Sequence, residues 1–198
     1  MKTTTTKIKV GVPPLNIGTI RIDIVGKTPL LMDRFPEEAK KEILAKQSGL
    51  SKGNKKKIRD ITEEANEAIH WTSDDRIGYP AYGFKKGMVE STSFIGDKMF
   101  SKKLVSGIRI MNVVDGLIPI EFEKQDILEH SIGSNTKFSP RFFDWKCQLV
   151  INYDMNNISA SDLVTLINYA GFYNGVGAWR PKGGGGGSGE YGMYEVQT

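Results

Sequence analysis

The sequence predicts an α+β protein, and three stretches predict it. Ile17–Val25 alternates, with Ile20, Ile22 and Ile24 on one face and Arg21 and Asp23 on the other, the pattern of a half-buried strand. Trp145–Tyr153 repeats it, setting Trp145, Cys147, Leu149 and Ile151 against Lys146, Gln148 and Asn152. Asp162–Phe172 instead carries a helical stripe of Leu163, Leu166, Ile167 and Ala170. A chain of 198 residues has the length of one domain. We therefore expect a flexible arm over residues 1–16, ending in Pro13-Pro14, and a single domain over 17–198.

The remaining elements follow in order. Gly26 and Pro29 close the first strand. Pro36-Glu37-Glu38 opens a helix, with proline in the first turn and acids near the positive end of the dipole. Gly49–Asn54 breaks it, and a lysine-rich insertion spans about residues 46–60. Ile61–Trp71 is short and helical. In Pro80–Phe100, Phe84, Gly87, Met88, Ser91, Phe94 and Ile95 recur at helical spacing, and the small Gly87, Ser91 and Ser93 suit a helix packed close to a sheet. Ile108–Val114 and Leu117–Phe122 read as strands joined by an Asp115-Gly116 turn. Ser159 or Ser161 caps the helix at 162, and Met193–Val196 starts a last strand.

Composition removes several function classes. No apolar run approaches the ~18 residues of a membrane span. The polar leader Met1–Lys7 lacks the apolar core of a secretory signal. A single cysteine, Cys147, excludes an intrachain disulfide and a cysteine-rich zinc site, and its place on a strand makes it a core residue. Two histidines, His70 and His130, argue against a histidine metal cluster. We expect a cytoplasmic protein without cofactor or metal. No Gly-x-x-x-x-Gly-Lys-Ser/Thr loop and no Gly-x-Ser-x-Gly elbow occurs.

Net charge is a mild +4, but the charges are segregated. Residues 40–60 hold eight basic groups against Glu42 and Asp60, a local +6 that includes Lys52, Lys55, Lys56, Lys57 and Arg59. A second basic stretch carries Lys85, Lys86, Lys98, Lys102, Lys103 and Arg109. Acids gather at 60–75 and 115–129. A positive face of this kind attracts phosphate backbones at long range, although a lysine run is equally a solvated loop.

Residues 171–192 hold ten glycines. So permissive a stretch is not expected in the core. It lets a backbone lie against a ligand, with the amides of Gly175 and Gly177 free for phosphates. Trp179, Arg180 and Lys182 add a stacking ring and two cations, and Phe172, Tyr173 and Tyr191 are further rings on which bases could stack, a combination that suits single-stranded nucleic acid. Trp179 as a plug in the core is the competing reading.

The order of helix, Gly175-Val176-Gly177, basic loop, glycine-rich sequence and terminal strand resembles the glycine-rich loop of the RAMP superfamily. These are the RRM-like, ferredoxin-like proteins that serve as backbone subunits and processing endoribonucleases of CRISPR effectors. Ile24–Leu31 is similar to the first strand and turn of that family. The strings Pro29–Phe35 and Gly177–Lys182 also resemble a type of small phage and prophage protein. The resemblance implies a ferredoxin-like βαββαβ core with insertions, the loop lying between the second helix and fourth strand. It also implies binding of RNA or single-stranded DNA. The loop is longer than the family's, and Gly189–Met193 lacks its glycine-hydrophobic-glycine close.

Endoribonucleases of this type often use histidine as general acid or base. Neither His70 nor His130 adjoins the glycine loop in sequence, and Asp33 and Asp74-Asp75 read as turn or surface acids rather than metal ligands. The leading expectation is a non-enzymatic binder of single-stranded DNA or RNA, several copies lining up on one strand in phage replication, recombination or a CRISPR-like complex. The rivals are a metal-independent endoribonuclease and a structural phage protein whose glycine loop makes subunit contacts.

Overall fold

The computed structural model describes residues 14–49, 60–95, 105–132, 135–182 and 189–197. Alternation makes strand β1, Ile17–Gly26, the centre of the main sheet: Ile22 and Ile24 are buried while Arg21 and Asp23 face solvent. It pairs antiparallel along its length with β8, Lys146–Asp154, so that Ile22 meets Leu149 and Ile24 meets Cys147 on the core face. At the end of β1, the Trp145 indole fills the space beside Gly26, where a Cβ would lie 2.1 Å from the ring nitrogen. That nitrogen donates to the Thr28 carbonyl at 2.9 Å, which satisfies the buried polar edge of the ring.

Between β1 and β8 run β2 (Leu30–Leu31), α1 (Glu37–Gln47), α2 (Ile61–Glu67), β3 (Gly78–Pro80), α3 (Ala81–Ser91), β4 (Arg109–Ile110), β5 (Leu117–Pro119), β6 (Lys124–Ile132) and β7 (Asn135–Phe143). After β8 come α4 (Ala160–Tyr169), a π-helical turn (Ala170–Asn174) and β9 (Tyr194–Val196). The main sheet has the order β4-β8-β1-β9 with every neighbouring pair antiparallel. A second sheet has the order β2-β7-β6, and β3 pairs with β5. The fold is thus α+β with several antiparallel sheets. Among the described residues, no helix is long and apolar enough to cross a membrane.

Helix α4 starts at a capping box: Ser159 accepts from the Asp162 amide, and the Asp162 carboxylate accepts from the Ser159 amide. Its stripe of Leu163, Leu166 and Ile167, continued by Ala170, is fully buried. Helix α3 buries Phe84, Gly87, Met88 and Ser91. The small residues Gly87 and Ser91 admit the π-turn, and a Cβ at Gly87 would also lie 3.9 Å from the Tyr194 hydroxyl of β9. Buried Asn174 donates to the Gly87 carbonyl and the Ser91 hydroxyl.

Two expectations are corrected. The strand read over Ile108–Val114 shrinks to Arg109–Ile110, because Asn112 puts its side chain where a strand backbone would be. Its amide donates to the Gln148 carbonyl at 2.6 Å and accepts from the Val150 amide at 2.8 Å. Met111 and Glu121 bond the rest of that edge of β8. The strand read over Leu117–Phe122 shrinks to Leu117–Pro119 and pairs with β3, while the expected turn at Asp115 and Gly116, both with positive φ, is present. The long β6–β7 hairpin has no counterpart among the elements read from the sequence.

Candidate nucleic-acid interface

The described parts of the glycine-rich stretch, residues 171–182 and 189–192, are knitted into the molecule rather than lying outside it. Gly171, Asn174, Gly175, Val176 and Gly192 are buried, which corrects the expectation that this region avoids the core. Val176 donates to Gly192, Ala178 to Leu31, and Gly192 to Pro29, at 2.8–2.9 Å. The Trp179 carbonyl accepts from Tyr191 at 3.1 Å. The glycine at 192 is required twice over: its φ is +66°, and a Cβ there would lie 1.7 Å from the Val176 carbonyl oxygen. The Gly175 amide bonds the Ala170 carbonyl and the Gly177 amide the Tyr79 hydroxyl. Both amides are therefore taken by the fold and do not face outward for a phosphate.

The Trp179 and Lys182 side chains do face outward. Trp179, with φ +51°, keeps 47% of its surface exposed. One edge meets the His130 ring at 5.2 Å between centroids, in a T-shaped contact. His130 is itself buried; its Nε2 lies 2.8 Å from the Ser139 hydroxyl, and its Nδ1 has no hydrogen-bond partner among the described residues. Burial holds its pKa below the ordinary histidine value, helped by Lys137 and opposed by Asp33. Asp33 and Lys137 form an ion pair beside it. The second sheet thus seats Trp179.

Arg180 turns back to the Lys182 carbonyl at 3.1 Å and lies beside the Tyr79 hydroxyl, whose pKa burial pushes up. Tyr191 lies 3.5 Å from Arg141, which forks onto Asp126 with bonds of 2.7 and 2.8 Å and covers the Phe143 ring. Lys182 reaches across to α3, 3.9 Å from Glu90, and Lys86 approaches the same carboxylate at 3.9 Å. Lys85 is half-buried, and burial and Arg109 both lower its pKa.

Trp179, Arg180, Lys182 and Tyr191 therefore share one loop, and Lys86 is brought to its rim. Lys52, Lys55, Lys56, Lys57, Arg59, Lys98, Lys102 and Lys103 lie outside the described residues, as does the Gly183–Ser188 run. Sequence reasoning missed Phe94, which stacks on Tyr173 with centroids 4.4 Å apart, and the Arg141–Phe143 pair. No spacing links Phe94 to Tyr173, so only the fold reveals them. The solvent face of the main sheet offers no rings. Thr19, Arg21, Asp23, Gln148 and Asn152 line it, and a cavity of about 670 Å³ opens there between Asp23, Gln148 and the Asn112–Val114 segment.

His70 is half-buried against Tyr79, and burial, then Arg34 and Lys40, lower its pKa. Asp74 is tied to Arg76 and Thr72. Among the described residues no group of three His, Cys, Asp or Glu side chains is placed to hold a metal. Cys147 is buried, and burial pushes its thiol far above the ordinary range. In comparisons with known proteins, no protein-family model matches the chain and no curated protein matches it.

Proposed function

We propose that this protein binds single-stranded nucleic acid in the cytoplasm without cutting it. The contact surface is the rim of the glycine-rich loop on a ferredoxin-like, RRM-like core. Strand order supports the core assignment: β9-β1-β8-β4, all antiparallel, with α3 between β1 and β4 and α4 between β8 and β9. This order agrees with a βαββαβ core in which β2, α1, α2 and β3 are insertions before α3, and β5–β7 are insertions before β8.

One observation carries the function: a half-exposed tryptophan flanked by Arg180 and Lys182, on a segment whose described backbone is bonded to the fold on either side of it. A ring held in place loses little freedom when a base stacks on it, and the cations beside it meet the phosphates. The RAMP-like and phage-like strings agree with such a role on a phage or CRISPR-type strand coated by several copies. His130 favours binding over cleavage, because it is buried, kept neutral and engaged by Ser139 beneath Trp179.

The test is fluorescence anisotropy of labelled oligothymidylate and oligouridylate across a salt series. Binding should weaken with salt, with a slope of about −0.7 per phosphate contacted. Trp179→Ala should cost about 1–3 kcal/mol of affinity while the protein stays folded. Absence of salt-dependent binding to either strand, or a folded Trp179→Ala variant that binds normally, would sink this assignment.

A further inference from the structure

Phe94, just past the end of α3, and the π-turn after α4 meet in a cluster of exposed rings that joins Phe172 and Tyr173, expected from the sequence to stack on bases, to a ring the sequence reading does not use. Phe94 and Tyr173 stack at 4.4 Å with planes only 14° apart, and they remain 45% and 40% exposed. Phe172 sets its edge against Tyr173 and is 61% exposed, and Tyr169 tilts against the same ring. The π-turn matters here, because its wider winding places Phe172 and Tyr173 outward while Asn174 stays buried beneath.

The charges beside these rings point to the occupant. The Lys182 ammonium lies over the Phe94 ring, 5.3 Å from its centroid. Lys182 and Lys86 share one carboxylate, Glu90, each at 3.9 Å, so two cations meet one anion. Neither pair is tight, and all three groups are partly exposed. The patch therefore combines a flat π-surface, a net positive charge and a cation that occupies the ring only loosely. A protein partner's apolar side chain would use the rings and leave the cations unmatched. A nucleotide uses both, with its base on the ring and its phosphate on the lysines.

We propose that Phe94, with Tyr173 and Phe172 behind it, is a second base-stacking subsite for single-stranded nucleic acid, and that Lys182 moves from the Phe94 ring to the phosphate of the incoming nucleotide. The proposal rests on the single-strand assignment above and adds a second contact point. The strand would touch Trp179 on one side of the loop and the Phe94 shelf on the other. Lys182 then holds the empty shelf against other rings and gives way to a base that brings its own negative charge.

The experiment measures anisotropy of labelled oligothymidylate and oligouridylate on the full chain, with circular dichroism to check folding. Phe94→Leu should weaken binding about 5- to 150-fold at fixed salt, the range one lost base stack implies, and leave the salt slope unchanged. Lys182→Met should reduce the magnitude of that slope by about 0.7, one phosphate contact. If the wild-type chain binds neither oligonucleotide, the single-strand assignment falls and this proposal with it. If the wild type binds and a folded Phe94→Leu variant binds equally well, only the second subsite falls. A Phe94→Leu variant that changes oligomer size but not oligonucleotide affinity would mark the rings as a contact between copies, and it overturns the proposal too. Should Phe94→Leu fail to fold, Phe172→Ala carries the test. Weakening of at least about 5-fold supports the subsite, and unchanged affinity overturns it.

Discussion

Replacing Gly192 with alanine tests whether the glycine-rich loop is structural at its root. Two costs add at this position. The left-handed φ of +66° penalises any residue with a Cβ by about 1–2 kcal/mol. The Cβ would also sit 1.7 Å from the Val176 carbonyl oxygen, so the two backbones must part. Parting them strains the bonds from Val176 to Gly192 and from Gly192 to Pro29, each worth about 0.5–1.5 kcal/mol. The expected total is about 2–5 kcal/mol. Gly116 provides the control: its φ is +79°, but nothing lies within 4 Å of the place a Cβ would take. Gly116→Ala should therefore cost only the conformational part, about 1–2 kcal/mol. Urea denaturation of both variants separates the two contributions. If Gly192→Ala is no less stable than Gly116→Ala, the loop root is not packed as described, and the rigidity assigned to Trp179 loses its basis.

Two more outcomes are expected. Leu163→Ala removes a fully buried side chain between α4 and the main sheet and should cost about 2–5 kcal/mol by denaturant unfolding; wild-type stability would mean the helix does not pack there. The folded state holds His130 and His70 below their unfolded pKa, so the unfolded chain binds more protons, and stability should fall as pH drops below about 6.5. Comparing urea midpoints at about pH 7.5 and about pH 5, His130→Leu should lose less on acidification than the wild type; an equal loss would show that His130 is not the buried neutral group.

What was legible in the sequence was what repeats. β1, β8 and α4 announce themselves because one face of each is apolar at a fixed period, and of the two serines that could cap α4 the structure uses Ser159, paired with Asp162. The β6–β7 hairpin was hidden for a physical reason. Its strands carry Lys124, Asp126, Glu129, Lys137 and Arg141, and Pro140 stands where a central strand should not tolerate proline. Pro140 is accommodated because β2 ends beside it, and its carbonyl still accepts from Met32 at 3.0 Å. Within the candidate site, Trp179, Arg180, Lys182 and Tyr191 were visible because they crowd one short segment. The seat that His130 gives Trp179, and the stack of Phe94 on Tyr173, join residues far apart in the chain and leave no periodic trace.

The side chain of Asn112 has a consequence for how copies of this protein meet. An exposed sheet edge invites the strand of another molecule to continue its ladder, and through that, fibre growth. Here the outer edge of β8 is closed in sequence by the two residues of β4, by Met111, by the Asn112 amide and by Glu121. β9, on the opposite edge, has only three residues. The β8 edge therefore gives a neighbour almost no backbone to template on, whereas β9 pairs with only Ile24–Gly26 of β1 on the other side. If copies gather on one strand as proposed, contacts on the β8 side run through loops and side chains, and not through a ladder that grows from one copy into the next.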